Sequence, residues 1–524
     1  MRGAGILCPV FSLPSPYGIG TFGKSAYEFA DKLKKAKQSY WQILPLGPTG
    51  YGDSPYQSFS TFAGNPYFID LDILREEGLL TITECEEVVV SRDPSDIDYE
   101  KMYYTRFPVL KKAYARFKGR EDGKYRSFIK DNSFWINDYA LYMAVKDSFN
   151  GKAFTEWDED IRFRKKAALK KYKEELSEEI GFYIFLQFEF FTQWSRLKKY
   201  VNDLGIKIVG DIPIYVAFDS ADTWSEPKLF QLDKEGLPIA VAGCPPDAFS
   251  SLGQLWGNPL YDWPYHKKTG YNWWIKRIEN CFKLYDVVRI DHFRGFDSYY
   301  AIPYGDDTAK FGHWENGPGE ELFKTFKKEL GNIDVIAEDL GFLTKSVRKL
   351  VKKTGYPGMK VLQFAFNDYK DSEYLPHRIP KNSVVYTGTH DNETTLGWVR
   401  NLKKKDAAFV KGYFGMHDEA DEKDIADMMV RFAMMSTADT CIIPIQDYLL
   451  SGNEARINTP STLGTNWRWR LVPDQIDDDV IKKIKALTLI SFRAGKYAKK
   501  KKKKSGKKEA GAKDGRSREV KADE

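Results

Sequence analysis

Three acidic residues stand at or just beyond the ends of predicted β-strands: Asp291 in VVRIDHFRG, Glu338 in DVIAEDLG and Asp391 in YTGTHDNETTLGW. A single Asp or Glu at such a place is more often a helix cap or a surface group than a catalytic residue. If the three strands belong to one parallel barrel, their carboxylates meet at the rim where barrel enzymes carry their active sites. Two carboxylates about 5 Å apart are what cleavage of a glycosidic bond with retention requires.

The neighbours of these carboxylates suggest different protonation states. Arg289 lies two residues before Asp291, so on a strand both side chains point the same way. We expect this guanidinium to lower the pKa of Asp291 and keep it ionised, which suits a nucleophile. Glu338 must be protonated to act as a general acid, which calls for a less polar setting or a nearby anion. Asp339 competes for that role, but side-chain alternation along a strand points it away from its neighbour. The third carboxylate, Asp391, would bond sugar hydroxyls more strongly as charge develops.

Eight short runs rich in β-branched residues are separated by helical patterns, which is typical of a parallel sheet built from βαβ units. They cover residues 5–9, 41–46, 206–216, 287–292, 334–339, 360–366, 383–391 and 441–446. Several end in charged or hydrogen-bonding residues, which favours a closed (β/α)8 barrel, the TIM-barrel fold. A doubly wound open sheet is the alternative.

The stretch between the second and third runs far exceeds the usual connection of about 2–6 residues. It contains amphipathic or strongly apolar helical patterns such as FPVLKKAYARF and FYIFLQFEFFTQWSRLKKYV. We therefore predict a large helical insertion over about residues 72–205, within a catalytic barrel that spans residues 1–494.

Residues 495–524 carry 13 Lys and Arg against 5 Asp and Glu. This net charge of +8 exceeds the +6 of the whole chain, so residues 1–494 are slightly acidic. So many like charges with so few apolar residues predict a disordered, Lys-rich tail. A nucleic-acid binder would rest on this tail alone, because the acidic body has no basic stripe.

The cysteines, the apolar runs and the absence of cofactor motifs indicate the cell compartment and the cofactor requirement. Five scattered cysteines without CxxC spacing argue against both a disulfide framework and a zinc site, which predicts a reducing cytoplasm. No apolar run approaches the ~20 residues of a spanning helix, and the N-terminus lacks the layout of a secretory signal. No phosphate loop, metal-ligand cluster or cofactor lysine motif stands out, so no cofactor is predicted, with calcium left open.

Six motifs follow one another along the chain: YGDSPYQSFSTFAGNPYFIDL (51–71), GDIPIYV (210–216), PPDAFSSLGQLWGNPLYDW (245–263), VRIDHFRG, AEDLG and THDNETTLGW. Together they resemble the motifs of the amylomaltase family, 4-α-glucanotransferases (disproportionating enzymes) related to the α-amylases. The resemblance extends from about the N-terminus to Arg470 and keeps the family's order.

This resemblance implies a role for each carboxylate: Asp291 as nucleophile, Glu338 as general acid/base and Asp391 as transition-state stabiliser. It also implies substrate contacts for Tyr56, Ser54, Asp211, Gln254, Trp256, Arg289, His390 and Asn458. Gln254 and Trp256 fall in glucan-binding loops, about residues 217–275, that cover the glucan in the family. Without the motifs, Trp256 would be read as a core residue and His390 as a buried hydrogen-bonding residue.

One loop departs from the family pattern. The run NEARINTPSTLGTNWRWR (453–470) resembles an Asn-x-Pro-Gly loop followed by Gly-Asn-Trp, with Ser461 and Thr465 in place of the glycines. Non-glycine residues rarely adopt positive φ, so the resemblance leaves the backbone geometry of this loop open. Asn458 is the substrate contact expected within it.

The resemblance implies transfer of α-1,4-glucan segments from a maltooligosaccharide or starch-like donor to the 4-hydroxyl of a glucose or glucan acceptor, by a retaining double displacement. The expected partners are these glucans, maltooligosaccharides and glucose, with neither nucleic acid nor membrane, for a monomer or weak homo-oligomer. An α-1,4-glucan hydrolase of the α-amylase clan is the first alternative, because the same carboxylates would serve with water as acceptor. A catalytically idle glucan-binding protein is the second, and three carboxylates in their motifs weigh against it.

Overall fold

The computed structural model describes residues 2–50, 52–246, 251–341, 343–366 and 372–495. The strands in this part of the chain are β1 (Gly3–Leu7), β2 (Tyr40–Gln42), β3 (Lys207–Ile212), β4 (Ala240–Cys244), β5 (Gln254–Pro259), β6 (Val287–Ile290), β7 (Ser298–Pro303), β8 (His313–Asn316), β9 (Val335–Ala337), β10 (Gly358–Val361), β11 (Ser383–Tyr386) and β12 (Thr440–Pro444).

Eight of these strands close into a barrel in the order β1-β2-β3-β6-β9-β10-β11-β12, and β12 pairs back to β1. Every neighbouring pair is parallel. They are the eight predicted strands, so the (β/α)8 prediction is confirmed and the open-sheet alternative is wrong. Apolar side chains such as Val209, Ile336, Val361 and Ile442 fill the barrel in one buried cluster, as expected of strands covered on both faces.

Seven of the eight predicted strands are shorter than expected, and the two largest differences lie at the C-terminal ends of the seventh and sixth. The run 383–391 leaves the sheet after Tyr386, because the backbone N–H of Thr389 bonds the Asn392 side chain at 2.9 Å instead of a neighbouring strand. The run 360–366 is a strand only to Val361 and continues as a 3-10 helix. These early endings leave loops free to carry side chains at the rim.

The predicted insertion between β2 and β3 consists of helices. They are α2 (Leu71–Glu76), α3 (Ile82–Cys85), α4 (Tyr99–Phe117), α5 (Gly123–Asp131), α6 (Ile136–Ser148), α7 (Glu159–Arg162), α8 (Lys166–Glu175) and α9 (Ser177–Asp203). In α9 the six consecutive residues 182–187 are all buried, so this part of the helix is enclosed on every side. Further along, buried Phe190, Trp194, Leu197 and Val201 recur at helical spacing, so the second half turns one face to the core.

The remaining helices follow the barrel strands. They are α1 (Lys24–Lys35), α10 (Ala221–Ser225), α11 (Trp263–Lys268), α12 (Asn272–Leu284), α13 (Glu320–Leu330), α14 (Lys345–Thr354), α15 (Thr395–Arg400), α16 (Lys404–Phe414), α17 (Glu422–Met435), α18 (Ile445–Tyr448) and α19 (Asp478–Ile490). None of the helices described is both long and apolar enough to cross a bilayer.

A second, antiparallel sheet in the order β5-β4-β7-β8 was not predicted. Its strands come from the segments after β3 and after β6, so it stands beside the C-terminal ends of those two barrel strands. The predicted tail, residues 495–524, lies outside the described residues apart from Gly495.

Candidate active site

The three acidic residues belong to the fourth, fifth and seventh strands of the barrel. Asp291 follows β6 directly and Glu338 follows β9 directly, whereas Asp391 lies five residues beyond the end of β11. All three therefore stand at the C-terminal rim. The backbone N–H of His292 donates to Glu338 Oε2 at 2.7 Å, which fixes Glu338 beside the peptide that follows Asp291.

A buried ion cluster lies under this rim. Asp211 and Arg289 are register partners on the adjacent strands β3 and β6. Arg289 Nη1 donates to both carboxylate oxygens of Asp211, at 2.8 and 2.7 Å, and its Nη2 donates to Asp291 Oδ1 at 2.9 Å. The Asp211 side chain is fully buried and Arg289 is 3% exposed. The two ion pairs satisfy charges that would otherwise be costly to bury.

Arg289 is only one of several groups that set the pKa of Asp291. Burial raises the pKa of Asp291, and the Arg289 guanidinium opposes that rise without reversing it. The predicted direction of the Arg289 effect is therefore confirmed, but burial outweighs it, so the pKa of Asp291 is raised on balance. The sequence showed the cation but neither the burial nor Asp211, which shares the same guanidinium and further raises the pKa of Asp291.

Glu338 has the environment that a general acid needs. Burial, and next the negative charge of Asp291, raise the pKa of Glu338 to about 8. Backbone N–H groups of His292 and Leu340 donate to its two carboxylate oxygens and offset part of the rise. Asp339 turns instead to the neighbouring strand, where it accepts from the Met359 backbone N–H at 2.7 Å. Burial and the Asp291 charge therefore favour the protonated form of Glu338.

Asp391 is held by loops rather than strands. Asn458 Nδ2 donates to Asp391 Oδ1 at 2.7 Å, and His390 Nε2 lies 3.3 Å from the same oxygen. Arg456 Nη2 donates to the Asp391 backbone carbonyl at 2.8 Å. The Asp391 side chain is 41% exposed, so it remains open toward the cleft.

Tyr56 links the two sides of the site. Its hydroxyl donates to Asp211 Oδ2 at 3.0 Å, and its ring stacks on His390 with centroids 5.2 Å apart. Trp467 packs against both rings, at 5.8 Å from Tyr56 and 6.0 Å from His390. Tyr56 thus contacts both Asp211 of the buried ion cluster and His390 of the loop that carries Asp391.

Gln254 and Trp256 lie on β5 of the second sheet, and Trp256 Nε1 donates to Gln254 Oε1 at 3.1 Å. The Trp256 ring packs edge-on against His292, with centroids 4.8 Å apart. His292 itself has φ +50°, a left-handed conformation that costs a non-glycine residue about 1–3 kcal/mol. The contacts of its N–H with Glu338 and of its ring with Trp256 hold it there.

Ser54 acts on the site indirectly, through Tyr56. The Ser54 hydroxyl accepts from the Tyr56 backbone N–H at 3.3 Å, so it shapes the turn that presents Tyr56. The backbone geometry of the loop 453–470, which the sequence left open, is settled at Ser461, where φ is +65°. The serine therefore adopts the left-handed conformation expected of the glycine in the family pattern. Thr465 does not, and Gly464 before it has φ +86°.

Four residues of the site were not singled out from the sequence: His292, Gln57, Trp467 and Arg456. Gln57 Nε2 donates to the Trp256 carbonyl at 3.4 Å and to Asn258 Oδ1 at 3.1 Å. All four stand within runs already quoted: His292 next to Asp291, Gln57 next to Tyr56, and Arg456 and Trp467 in the run 453–470. Trp467 belongs to the Asn-Trp pair of the family pattern, whereas no feature of that pattern marked Arg456. Among the described residues, no group of three His, Cys, Asp or Glu side chains is placed to hold a metal ion.

Comparison with known proteins agrees with this geometry. A family model described as 4-alpha-glucanotransferase matches residues 8–475. The chain is 51% identical to a 4-alpha-glucanotransferase of Clostridium butyricum over 92% of this chain and 99% of that protein. It is 44% identical to the Thermus thermophilus 4-alpha-glucanotransferase, over 93% and 98% of the two chains. The fold is similar to an amylomaltase from Streptococcus agalactiae solved with acarbose, with a TM-score of 0.92, 41% identity and coverage of 94% and 100%.

Proposed function

This chain belongs to the 4-alpha-glucanotransferase family, and we propose that the carboxylates at its barrel rim carry out the family reaction by retaining double displacement. The enzyme acts on α-1,4-glucans and transfers glucan segments from a donor chain to an acceptor chain. One observation supports the assignment of roles above all others: Glu338 binds the backbone N–H that directly follows Asp291 and has a raised pKa, whereas Asp291 is paired with Arg289.

In the first step, a carboxylate oxygen of Asp291 attacks C1 of the donor sugar. Glu338 gives its proton to the glycosidic oxygen, so that the C1–O bond breaks and the reducing-end fragment leaves with a 4-hydroxyl. The product is a glycosyl ester on Asp291 and an ionised Glu338. The protonated state of Glu338, with its pKa near 8, supports its role as acid in this step.

In the second step, Glu338 accepts the proton of the acceptor 4-hydroxyl while that oxygen attacks C1. The ester bond to Asp291 breaks and the Asp291 carboxylate is regenerated, again paired with Arg289. Two inversions at C1 give net retention, so the new bond is again α-1,4.

The other predicted residues hold the sugar at the point of cleavage. Asp391 is presented by Asn458 and His390 and is the stabiliser of the positively charged transition state. Arg289, Asp211 and Tyr56 fix the floor of the same subsite, while Trp256 and Gln254 cover it from the second sheet. Ser54 contributes by shaping the Tyr56 turn.

Transfer rather than hydrolysis requires that a sugar outcompetes water for the glycosyl ester. The covering sheet beside Asp291 supports this, because Trp256 and His292 limit the access of water and give an acceptor hydroxyl a high effective concentration. The α-1,4-glucan hydrolase is the alternative with the same carboxylates.

Incubation with maltotriose separates the two activities. A transferase yields glucose together with longer maltooligosaccharides, while the total of reducing ends stays nearly constant, since each transfer breaks one α-1,4 bond and makes another. The Asp291→Asn protein is the matched control and forms no products. Reducing ends that rise in step with maltotriose consumption, with no longer oligosaccharide at any time, would mean that the enzyme is a hydrolase.

We further propose glucose as a competent acceptor and starch- or glycogen-type glucans and maltooligosaccharides as donors. A cytoplasmic setting is supported by four buried thiols that belong to no disulfide, Cys8, Cys85, Cys281 and Cys441. A monomer or weak homo-oligomer remains our proposal for the state in solution.

A further inference from the structure

A cavity of about 170 Å³ lies apart from the catalytic cleft, between the insertion helix α6 and helices α10, α11 and α12. None of the side chains with a proposed catalytic or substrate role lines it. It combines an aromatic wall with three carboxylates and one amide, which is the composition of a small-ligand site rather than of a packing defect.

The aromatic wall is built around Phe62. The rings of Phe134 and Trp273 pack edge-on against Phe62, with centroids 5.2 and 6.1 Å away. Phe134 is 38% exposed and Trp273 is half-buried, so both keep apolar surface open to the cavity that they line. Such rings cover the C–H face of a flat ligand.

The polar wall contains Asp222, Asp138, Glu226 and Asn272. The Asp222 residue is 5% exposed, and its Oδ2 accepts from the Thr61 backbone N–H at 2.8 Å. Burial raises the pKa of Asp222 to about 6. A nearly buried carboxylate in a concave site is a recurrent sign of ligand binding.

The charges around the cavity argue against an ionic ligand. Three carboxylates oppose the binding of an anion, and Lys276 at the wall and Arg164, which bonds Asp138 at 2.6 Å, already supply the cations. The described residues offer no metal-binding group of three. A neutral ligand rich in hydroxyl donors remains, and the cavity has the volume of about six waters at ~30 Å³ each, the size of one sugar ring.

We propose that this cavity is a non-catalytic binding site for one glucose unit of an α-glucan. The choice of a glucan as ligand rests on the proposed function, whereas the class of ligand, a neutral polyol with an apolar face, rests on the cavity itself. Hydroxyl groups donate to Asp222 and Glu226, and the sugar C–H face lies against Trp273.

The site is linked to Tyr56 through one short segment. Ser60 lines both this cavity and a second cavity that Tyr56 and Asp211 line from the side away from the rim carboxylates, and its neighbour Thr61 binds Asp222. A sugar in the cavity therefore braces the segment that carries Tyr56, and it holds a glucan chain near the enzyme between transfers.

The test uses full-length Asp291→Asn protein, which does not turn over its ligand, labelled with 5-fluorotryptophan and titrated with maltose in fluorine NMR. Resonances are assigned by single Trp→Phe variants. We expect the Trp273 resonance to shift and saturate in the millimolar range, while that of Trp314, 42% exposed on the second sheet, stays in place. The Trp256 resonance reports separately on the catalytic cleft, so failure of the proposed function and failure of this site are distinguishable.

Two variants at exposed positions of the wall, Glu226→Ala and Asn272→Ala, should raise the half-saturating maltose concentration at Trp273 by about three- to tenfold, the loss of one hydrogen bond. They should leave the midpoint at Trp256 unchanged. Glu279→Ala, an exposed glutamate on α12 that does not line the cavity, is the matched control and should change neither.

The proposal is overturned if the Trp273 resonance fails to saturate with maltose, or if Tris, a small ammonium compound, moves it while maltose does not. It is equally overturned if Trp273 and Trp256 share one midpoint that neither wall variant alters, because the shift would then be transmitted from the catalytic cleft.

Discussion

The two sides of the active site are held in different ways. Asp211 and Arg289 are paired in register on adjacent barrel strands, and their side chains are almost inaccessible. Across the cleft, Asp391 is 41% exposed and depends on Asn458, a residue of another loop. The strand side is therefore part of the barrel core, whereas the loop side is an assembly of connections that the barrel does not specify. Changes on the first side should affect both folding and catalysis, and changes on the second mainly catalysis.

The largest effect on the strand side is expected for Asp291→Asn. Without an anionic nucleophile the glycosyl ester cannot form, so the rate of transfer from maltotriose should fall by at least about a thousandfold, or ~4 kcal/mol. The melting temperature of the variant, measured beside the wild type, shows whether the fold survives. A variant that keeps more than a few per cent of the rate would remove Asp291 from the nucleophile role.

Arg289→Ala tests whether the strand side also carries stability. The substitution leaves Asp211 buried without its ion pair, which should lower the free energy of unfolding by about 3–5 kcal/mol. Urea denaturation of the variant and the wild type measures this loss. Since Asn458→Ala removes one hydrogen bond in a partly exposed loop, its loss should stay below about 1.5 kcal/mol. Equal losses in the two variants would contradict the distinction between the two sides.

On the loop side, Asp391→Asn should slow transfer by about 10²–10³-fold with little change in glucan binding, as for other groups that act in the transition state. Asn458→Ala should cost less, about tenfold, because Asp391 keeps its charge and loses only the amide that orients it. Values of kcat and KM with maltotriose separate the two effects. An Asn458→Ala protein as slow as Asp391→Asn would show that Asn458 contacts the sugar directly.

The protonation of Glu338 predicts the alkaline side of the pH profile. Because its pKa is raised to about 8, the acid form is present below that pH and is lost as pH rises through it. The value of kcat/KM should then fall about tenfold for each further pH unit. Glu338→Gln should lack this falling limb on a donor with a leaving group that needs no proton. A flat profile to pH 9 in a stable wild-type enzyme would place the acid elsewhere.

The contrast between the two sides also explains how much the sequence could predict. The strands and the positions of Asp291 and Glu338 follow from β-branched runs ending in acids, because a strand holds its side chains in a fixed alternation. The link between Asn458 and Asp391 joins two loops, and nothing in residue spacing specifies which loops meet. The second sheet was not predicted for the same reason. Its strands β4 and β7 pair directly with each other, but along the chain they are separated by the barrel strand β6. The net rise in the pKa of Asp291 could not be predicted, because depth of burial is a property of the whole fold.

The smallest effects are expected in the loop that contains Ser461 and Thr465, where the family pattern has glycines. Ser461 is exposed with φ +65°, so Ser461→Gly relieves a strain of about 1–2 kcal/mol but adds about 0.5–1 kcal/mol of unfolded-chain entropy. The melting temperature should stay constant or rise slightly, and kcat/KM should change by less than about twofold.

Thr465→Gly provides the matched comparison within this loop, because Thr465 has no positive φ and the turn is made by Gly464 instead. The substitution gains no relief of strain and keeps the entropic cost, so it should lower the free energy of unfolding by about 0.5–1 kcal/mol. Thermal and urea denaturation of both variants beside the wild type measures the difference. If Ser461→Gly destabilises the protein more than Thr465→Gly does, the left-handed turn at Ser461 is supported by contacts of the serine side chain, and the loop side is more firmly built than its exposure implies.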